Sequence, residues 1–165
     1  MNTIIIDIDG ICLDPIPRLN RCKQDDGTID WNRAFRNAEV IQDPMLPNAN
    51  AKVMLIVKQL IDRYPSIHVI YLTGRSMSCR EATLSAMGVM GFTRCHQQTL
   101  LMRKLGDTRP DAIIKSEYID EMTEDTFIAA IDDDYNGTLG PMYIEKNIPH
   151  YKSLDAYIEY LSQIL

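Results

Sequence analysis

The apolar residues of this chain fall into short dense runs separated by stretches in which they recur every three to four positions. The run Thr3-Ile4-Ile5-Ile6 is rich in β-branched residues and predicts a buried strand. Over residues 51–64, Val53, Met54, Ile56, Val57, Leu60 and Ile61 keep helical spacing, and Pro65 is read as the stop. Residues 68–72 predict a second strand, 78–87 a helix stopped by Gly88, 99–102 a third strand and 110–122 a third helix. Residues 127–131 then predict a fourth strand, 141–144 a short fifth strand and 154–165 a closing amphipathic helix. Strands alternating with helices predict an α/β, Rossmann-like architecture: a central parallel sheet of about five strands with helices on both faces.

Residues 12–50 break the alternation. Pro15 and Pro17 lie two residues apart and argue against a regular element there. Asp25-Asp26-Gly27 reads as a turn, and Asp30 as the N-cap of a short helix over 30–35. Trp31 and Phe35 in that helix are expected to pack the segment onto the body. A segment this long between a first strand and the first long helix is usually functional, so it is read as a small insert or minimal cap on a single domain spanning 1–165.

Composition narrows the class. At 165 residues the chain can bury a sizeable core, and 45% apolar with 24% charged residues is ordinary for a globular protein. A net charge of −6 argues against broad nonspecific binding to DNA or anionic membrane. No apolar run approaches the ~20 residues of a membrane span, and the N-terminal residues carry no signal-peptide pattern. Cys12, Cys22, Cys79 and Cys95 have no metal-knuckle spacing and are read as reduced thiols, so a cytoplasmic location is expected.

The chemistry lies where the strands end. The first strand stops at Asp7-Ile8-Asp9-Gly10, the second at Thr73-Gly74-Arg75 and the fourth at Asp132-Asp133-Asp134. In a parallel sheet these carboxyl ends share one edge, where ligands bind. Clustered aspartates form a hard oxygen site suited to Mg²⁺, which binds readily beside a phosphate. Thr73, read as lying at a helix start, offers a hydroxyl and a backbone N–H to a phosphate, and Arg75 a bidentate fork. Lys115 follows an apolar run, yet on the residues alone an exposed helix lysine is the better reading. Together these residues suggest Mg²⁺-assisted phosphoryl transfer with a carboxylate nucleophile.

Asp7-Ile8-Asp9-Gly10, Leu72-Thr73-Gly74-Arg75, Lys115 and Ile131-Asp132-Asp133 resemble, in order, the four motifs of the haloacid dehalogenase (HAD) superfamily of phosphatases. The stretch from Leu101 to Lys115, with its Met-Arg, Gly-Asp, Arg-Pro-Asp and Lys signature, resembles the 3′-phosphatase domain of phage polynucleotide kinase. The short insert with Asp30-Trp31-Asn32 fits the same group. The resemblance implies a HAD fold with Asp7 as nucleophile and Asp9 as general acid/base. It implies that Thr73 holds the phosphoryl group and that Lys115 offsets its charge. It places Mg²⁺ on Asp7, Asp132, Asp133 and the Asp9 backbone carbonyl, and Gly74, Arg75, Arg103 and Arg109 near substrate phosphate or the site wall. The implied substrate is a phosphorylated nucleotide or nucleic-acid end, most of all a polynucleotide 3′-phosphate, with no membrane and no obligate protein partner. In one departure, Ile11 stands where the family has threonine. No GxxxxGK[ST] motif occurs, so no 5′-kinase activity is expected.

Other classes fit part of the pattern. A nucleotidase-like enzyme would use the same four motifs on a free nucleotide. A degenerate fold could hold Mg²⁺ and phosphate without turnover, a reading Ile11 favours. A phospho-accepting receiver domain also uses strand-end aspartates and a lysine, but the Asp-x-Asp spacing on the first strand speaks for the HAD arrangement.

Overall fold

A computed structural model of the chain describes residues 1–64, 66–89 and 97–164. Five parallel strands form one sheet: β1 (Asn2–Ile6), β2 (Ile67–Ser76), β3 (Gln97–Arg103), β4 (Thr126–Ile131) and β5 (His150–Tyr151). Their order is β3-β2-β1-β4-β5. The chain builds outward from β1 to β3, then crosses back to place β4 on the other side of β1. That reversal between β1 and β4 opens a crevice at the strands' carboxyl ends.

β1 is paired on both edges and covered on both faces, and its Ile4, Ile5 and Ile6 are fully buried. A strand so enclosed reads as a continuous apolar run. On one face Ile4 and Ile6 join Val53, Ile56, Val57 and Leu60 of α4 (Ala49–Arg63) and Leu154, Tyr157 and Leu161 of α8 (Leu154–Ile164). On the other, Ile5, Ile70, Leu72 and Ala130 pack with Ile119 of α6 (Asp111–Glu121) and Leu139 and Tyr143 of α7 (Leu139–Glu145). Met54 and Ile61, counted in the helical stripe of α4, face solvent. Among the described residues no helix is long and apolar enough to cross a membrane.

Several sequence expectations need correction. Residues 141–144 are not a strand: they lie in α7, and the fifth strand is His150–Tyr151. Pro141 sits in the first turn, where no backbone donor is needed, and Leu139 and Tyr143 are spaced to bury on one helical face. Pro15 and Pro17 do not prevent a helix. They cap and open α1 (Ile16–Arg21), again where the N–H groups have no helical partner. Gly88 does not end its helix, since α5 runs Arg80–Val89, after a 3₁₀ turn at Met77–Cys79. The expected stop at Pro65, Cys95 and the terminal Leu165 lie outside the described residues.

The insert after β1 carries α1, α2 (Trp31–Ala34) and α3 (Asn37–Val40). Its neck is closed where Asp14 N donates to Pro44 O at 2.9 Å and Leu46 N to Cys12 O at 2.9 Å. Asp30 caps α2 as expected, accepting from Arg33 N at 3.0 Å. Phe35 packs against a small cluster of Val40, Cys79, Ala82 and Met102. Trp31, expected to pack likewise, is instead 54% exposed and stacked on Phe35.

Candidate active site

Asp7 follows directly on β1 and is held by backbone: its N–H donates to Ile131 O at 2.8 Å, and its Oδ1 accepts from Ile8 N at 2.7 Å. Oδ2 faces Lys115 Nζ at 3.0 Å. Lys115 is buried, against the exposed reading, and its ammonium also donates to Asp132 Oδ2 at 2.7 Å. Residues on helix α6 and at the ends of two adjacent strands therefore meet in the crevice. Asp132 takes a further hydrogen bond from the Tyr143 hydroxyl at 3.1 Å. Its backbone carbonyl accepts from His150 Nε2 at 2.8 Å, so that nitrogen carries the proton. The sequence reading missed Tyr143, which it placed in a strand, and His150, which it assigned to no element.

Asp7, Asp132 and Asp133 each present a carboxylate oxygen within 4.8 Å of the others. Gly10 closes this corner: it has φ +74°, and a Cβ there would collide with the Asp133 carboxylate. Burial, with repulsion from Asp132 and Asp9, pushes Asp7 well above the ordinary carboxyl range against the pull of Lys115. Burial and then Asp132 likewise raise Asp133. Burial opposes the charge of Lys115, but Asp7, Tyr143 and Asp132 outweigh it and keep the ammonium protonated. Fully ionised, three carboxylates against one ammonium would carry a surplus of two negative charges, and their raised pKa values reflect that crowding. With hard oxygen donors and that surplus, the cluster fits a divalent ion such as Mg²⁺.

Asp9 points to a different set of partners. Its carboxylate accepts from Arg75 Nε at 3.0 Å and Nη2 at 2.6 Å, and from Arg18 Nη2 at 3.1 Å. Burial pushes its pKa up, but Arg75 and Arg18 outweigh it and hold the carboxyl below its ordinary value. Behind it, Asp43 bridges the same two arginines, 3.0 Å from Arg18 Nε and 2.7 Å from Arg75 Nη2. Arg18 also donates to Ala34 O at 3.0 Å. Arg18 and Asp43 belong to the insert and carried no signal in the sequence beyond their charge. Arg75, predicted as a phosphate fork, is fully buried on these carboxylates. Its Nη1 has no hydrogen-bond partner among the described residues.

Thr73 is buried in β2 and is not at a helix start, because the strand continues to Ser76. Its register against β3 jumps from Thr73↔Met102 to Ser76↔Arg103, which leaves Gly74 and Arg75 outside the ladder. Such an irregularity re-aims side chains, here turning Arg75 inward. Thr73 Oγ1 accepts from Arg75 N at 3.3 Å. Gly74 lies so close to α6 that a Cβ would collide with the Asp111 carboxylate. Arg103 locks this approach, donating to Gly74 O at 2.9 Å, to Asp107 O and Arg109 O, and pairing with Asp111. Its guanidinium is thus committed to framing the site. Arg109 is half exposed and its guanidinium is spent on Asp107 and Glu117. Ile11, which stands in place of the threonine, is buried among core side chains.

A family model described as the polynucleotide kinase PNKP phosphatase domain matches residues 1–138. No curated protein matches. Among solved structures, a chain from a structure of the Pnkp1/Rnl/Hen1 RNA repair complex matches with TM-score 0.63 and 24% identity. The match covers 92% of this chain and 42% of that one. A chain from a second structure of the Pnkp1/Rnl/Hen1 complex matches with TM-score 0.63 and 23% identity, over 92% of this chain and 45% of that one. The chain therefore spans less than half the length of these neighbours, and the likeness to them is one of fold.

Proposed function

The chain belongs to the polynucleotide kinase PNKP phosphatase-domain family and is a HAD-type phosphatase; from that premise we propose that it removes the phosphate from a nucleic-acid 3′-end, with Asp7 as nucleophile. The observation that carries this reading is the convergence of Asp7, Lys115, Asp132 and Asp133 in one crevice. An Asp7 carboxylate oxygen bonds to phosphorus as the bond to the 3′-oxygen breaks, and Asp9 gives that oxygen a proton. Water then attacks the aspartyl phosphate, loses its proton to Asp9, and releases inorganic phosphate and free Asp7. The arginine grip on Asp9 favours its ionised form, which suits the second half of this cycle. Lys115 offsets the negative charge gathered at Asp7, and Thr73 holds the phosphoryl group from the neighbouring strand. Asp7, Asp132 and Asp133, with the Asp9 backbone carbonyl, would hold Mg²⁺, which supplies charge neutralisation to the phosphoryl oxygens.

Because the structural neighbours come from an RNA repair complex, an RNA end stands beside a DNA end as substrate. Association with other repair proteins then enters the proposal in place of an enzyme working without partners. The test is phosphate release in Mg²⁺ from 3′-phosphorylated DNA and RNA oligonucleotides and from a panel of mononucleotides, with Asp7→Asn and EDTA as controls. Release from an oligonucleotide, abolished by both controls, is expected. Release from mononucleotides alone would keep the chemistry and reject the polynucleotide end. No release from any substrate would reject the phosphatase reading.

A further inference from the structure

Trp31 is the chain's single tryptophan, yet it is 54% exposed on a four-residue helix of the insert. Leaving so large an apolar ring in water is unfavourable. One side of it is backed: Trp31 and Phe35 stack with ring centroids 5.5 Å apart and planes at 25°. Phe35 in turn lies under the Arg18 guanidinium, 5.7 Å from ring centroid to Cζ. Arg18 holds Asp9 at 3.1 Å. Three consecutive contacts thus lead from an exposed indole to the carboxylate proposed to work on the leaving 3′-oxygen. Arg36, next to Phe35, is exposed and makes no ion pair among the described residues.

We infer that Trp31, backed by Phe35, is a stacking platform for a nucleobase of the strand whose 3′-phosphate enters the site, with Arg36 available to its backbone. This rests on the nucleic-acid reading of the site. Each contact of the relay is direct, so the indole stands three contacts from Asp9, on the side where nucleotides next to the terminal one are proposed to lie. Base–aromatic stacking combined with a cation for the backbone is the usual way to hold a single strand without reading its sequence. The platform therefore favours an oligonucleotide over a mononucleotide and is indifferent to base identity. The fixed α1–α2 geometry, set by Arg18 to Ala34 O, holds the ring in place before substrate arrives.

With one tryptophan in the chain, indole emission reads Trp31 alone. The Asp7→Asn protein, which should bind without turnover, is titrated with a 3′-phosphorylated single-stranded oligonucleotide, a nucleoside 3′-monophosphate and inorganic phosphate. Saturable quenching by the oligonucleotide, and none by phosphate, is expected. In the otherwise native protein, Trp31→Ala should raise KM for the oligonucleotide about tenfold. kcat, and activity on the nucleoside monophosphate, should be unchanged. Trp31→Phe should restore most of the affinity. An oligonucleotide that is dephosphorylated without quenching, and with unchanged KM in Trp31→Ala, overturns the platform and leaves the phosphatase reading intact. An oligonucleotide that quenches but is never dephosphorylated keeps the platform and overturns the substrate assignment instead.

Discussion

Arg75 and Asp43 form an ion pair sealed from water: Nη2 lies 2.7 Å from Oδ2, and neither side chain is exposed. Asp43 comes from the end of the insert and Arg75 from β2, so the pair fastens insert to sheet directly behind Asp9. Removing one partner of a buried pair leaves the other charged and desolvated, which typically costs about 3–5 kcal/mol. Asp43→Ala should lower unfolding stability by about that amount in urea titration, and Asp43→Asn by less. Both should slow phosphate release, since Arg18 and Arg75 lose the anchor that orients them on Asp9. An unchanged urea midpoint in Asp43→Ala would contradict this account.

Lys115 separates Asp7 from Asp132, standing 3.0 Å from one and 2.7 Å from the other. Lys115→Met keeps the volume and removes the charge. Phosphate release should fall about 10²- to 10³-fold, the usual loss for a group that stabilises transition-state charge. The melting temperature should also fall, and Mg²⁺ should recover more of it in the variant than in the native protein, because a divalent ion can take over the unpaired carboxylates. Equal Mg²⁺ stabilisation of both proteins would contradict the proposed metal site.

The loop before α6 has its own pH dependence. Arg109 accounts for the shift of Asp107, first through its side chain and then through its backbone N–H, pulling the carboxyl to about 2 from an ordinary 3.8. A folded value below the unfolded one means the stabilisation is complete above about pH 4 and lost as pH falls through 2. Arg109 is half exposed, so the pair's contribution to stability is small and screened by salt. A side-chain NMR titration of Asp107 should show a midpoint near 2 at low salt, moving upward in Arg109→Ala. A midpoint near 4 in the native protein would contradict the pairing.

Much of the site was legible because a polar residue closing an apolar strand stands out. Asp7, Thr73 and Asp132 each end such a run, and parallel topology brings those ends together. The burial of Lys115 was not legible, since a helical lysine is usually solvated and only its meeting with two carboxylates makes burial tolerable. Arg18 and Asp43 sit among prolines and scattered charges, where no periodicity marks an inward face. Pro141-Met142-Tyr143-Ile144 reads as a strand in the sequence because it is a short, largely apolar run after a turn. The Leu139–Tyr143 contact with the sheet decided for a helix, and that is tertiary information.

The nucleophile assignment is tested most directly by acid-quenching the protein during turnover of a ³²P-labelled 3′-phosphorylated oligonucleotide and mapping the label by peptide mass spectrometry. The account predicts a phosphoryl group on the peptide containing Asp7, acid-stable, hydroxylamine-labile and missing in Asp7→Asn. Label on any other residue, or turnover by Asp7→Asn at the native rate, would contradict it.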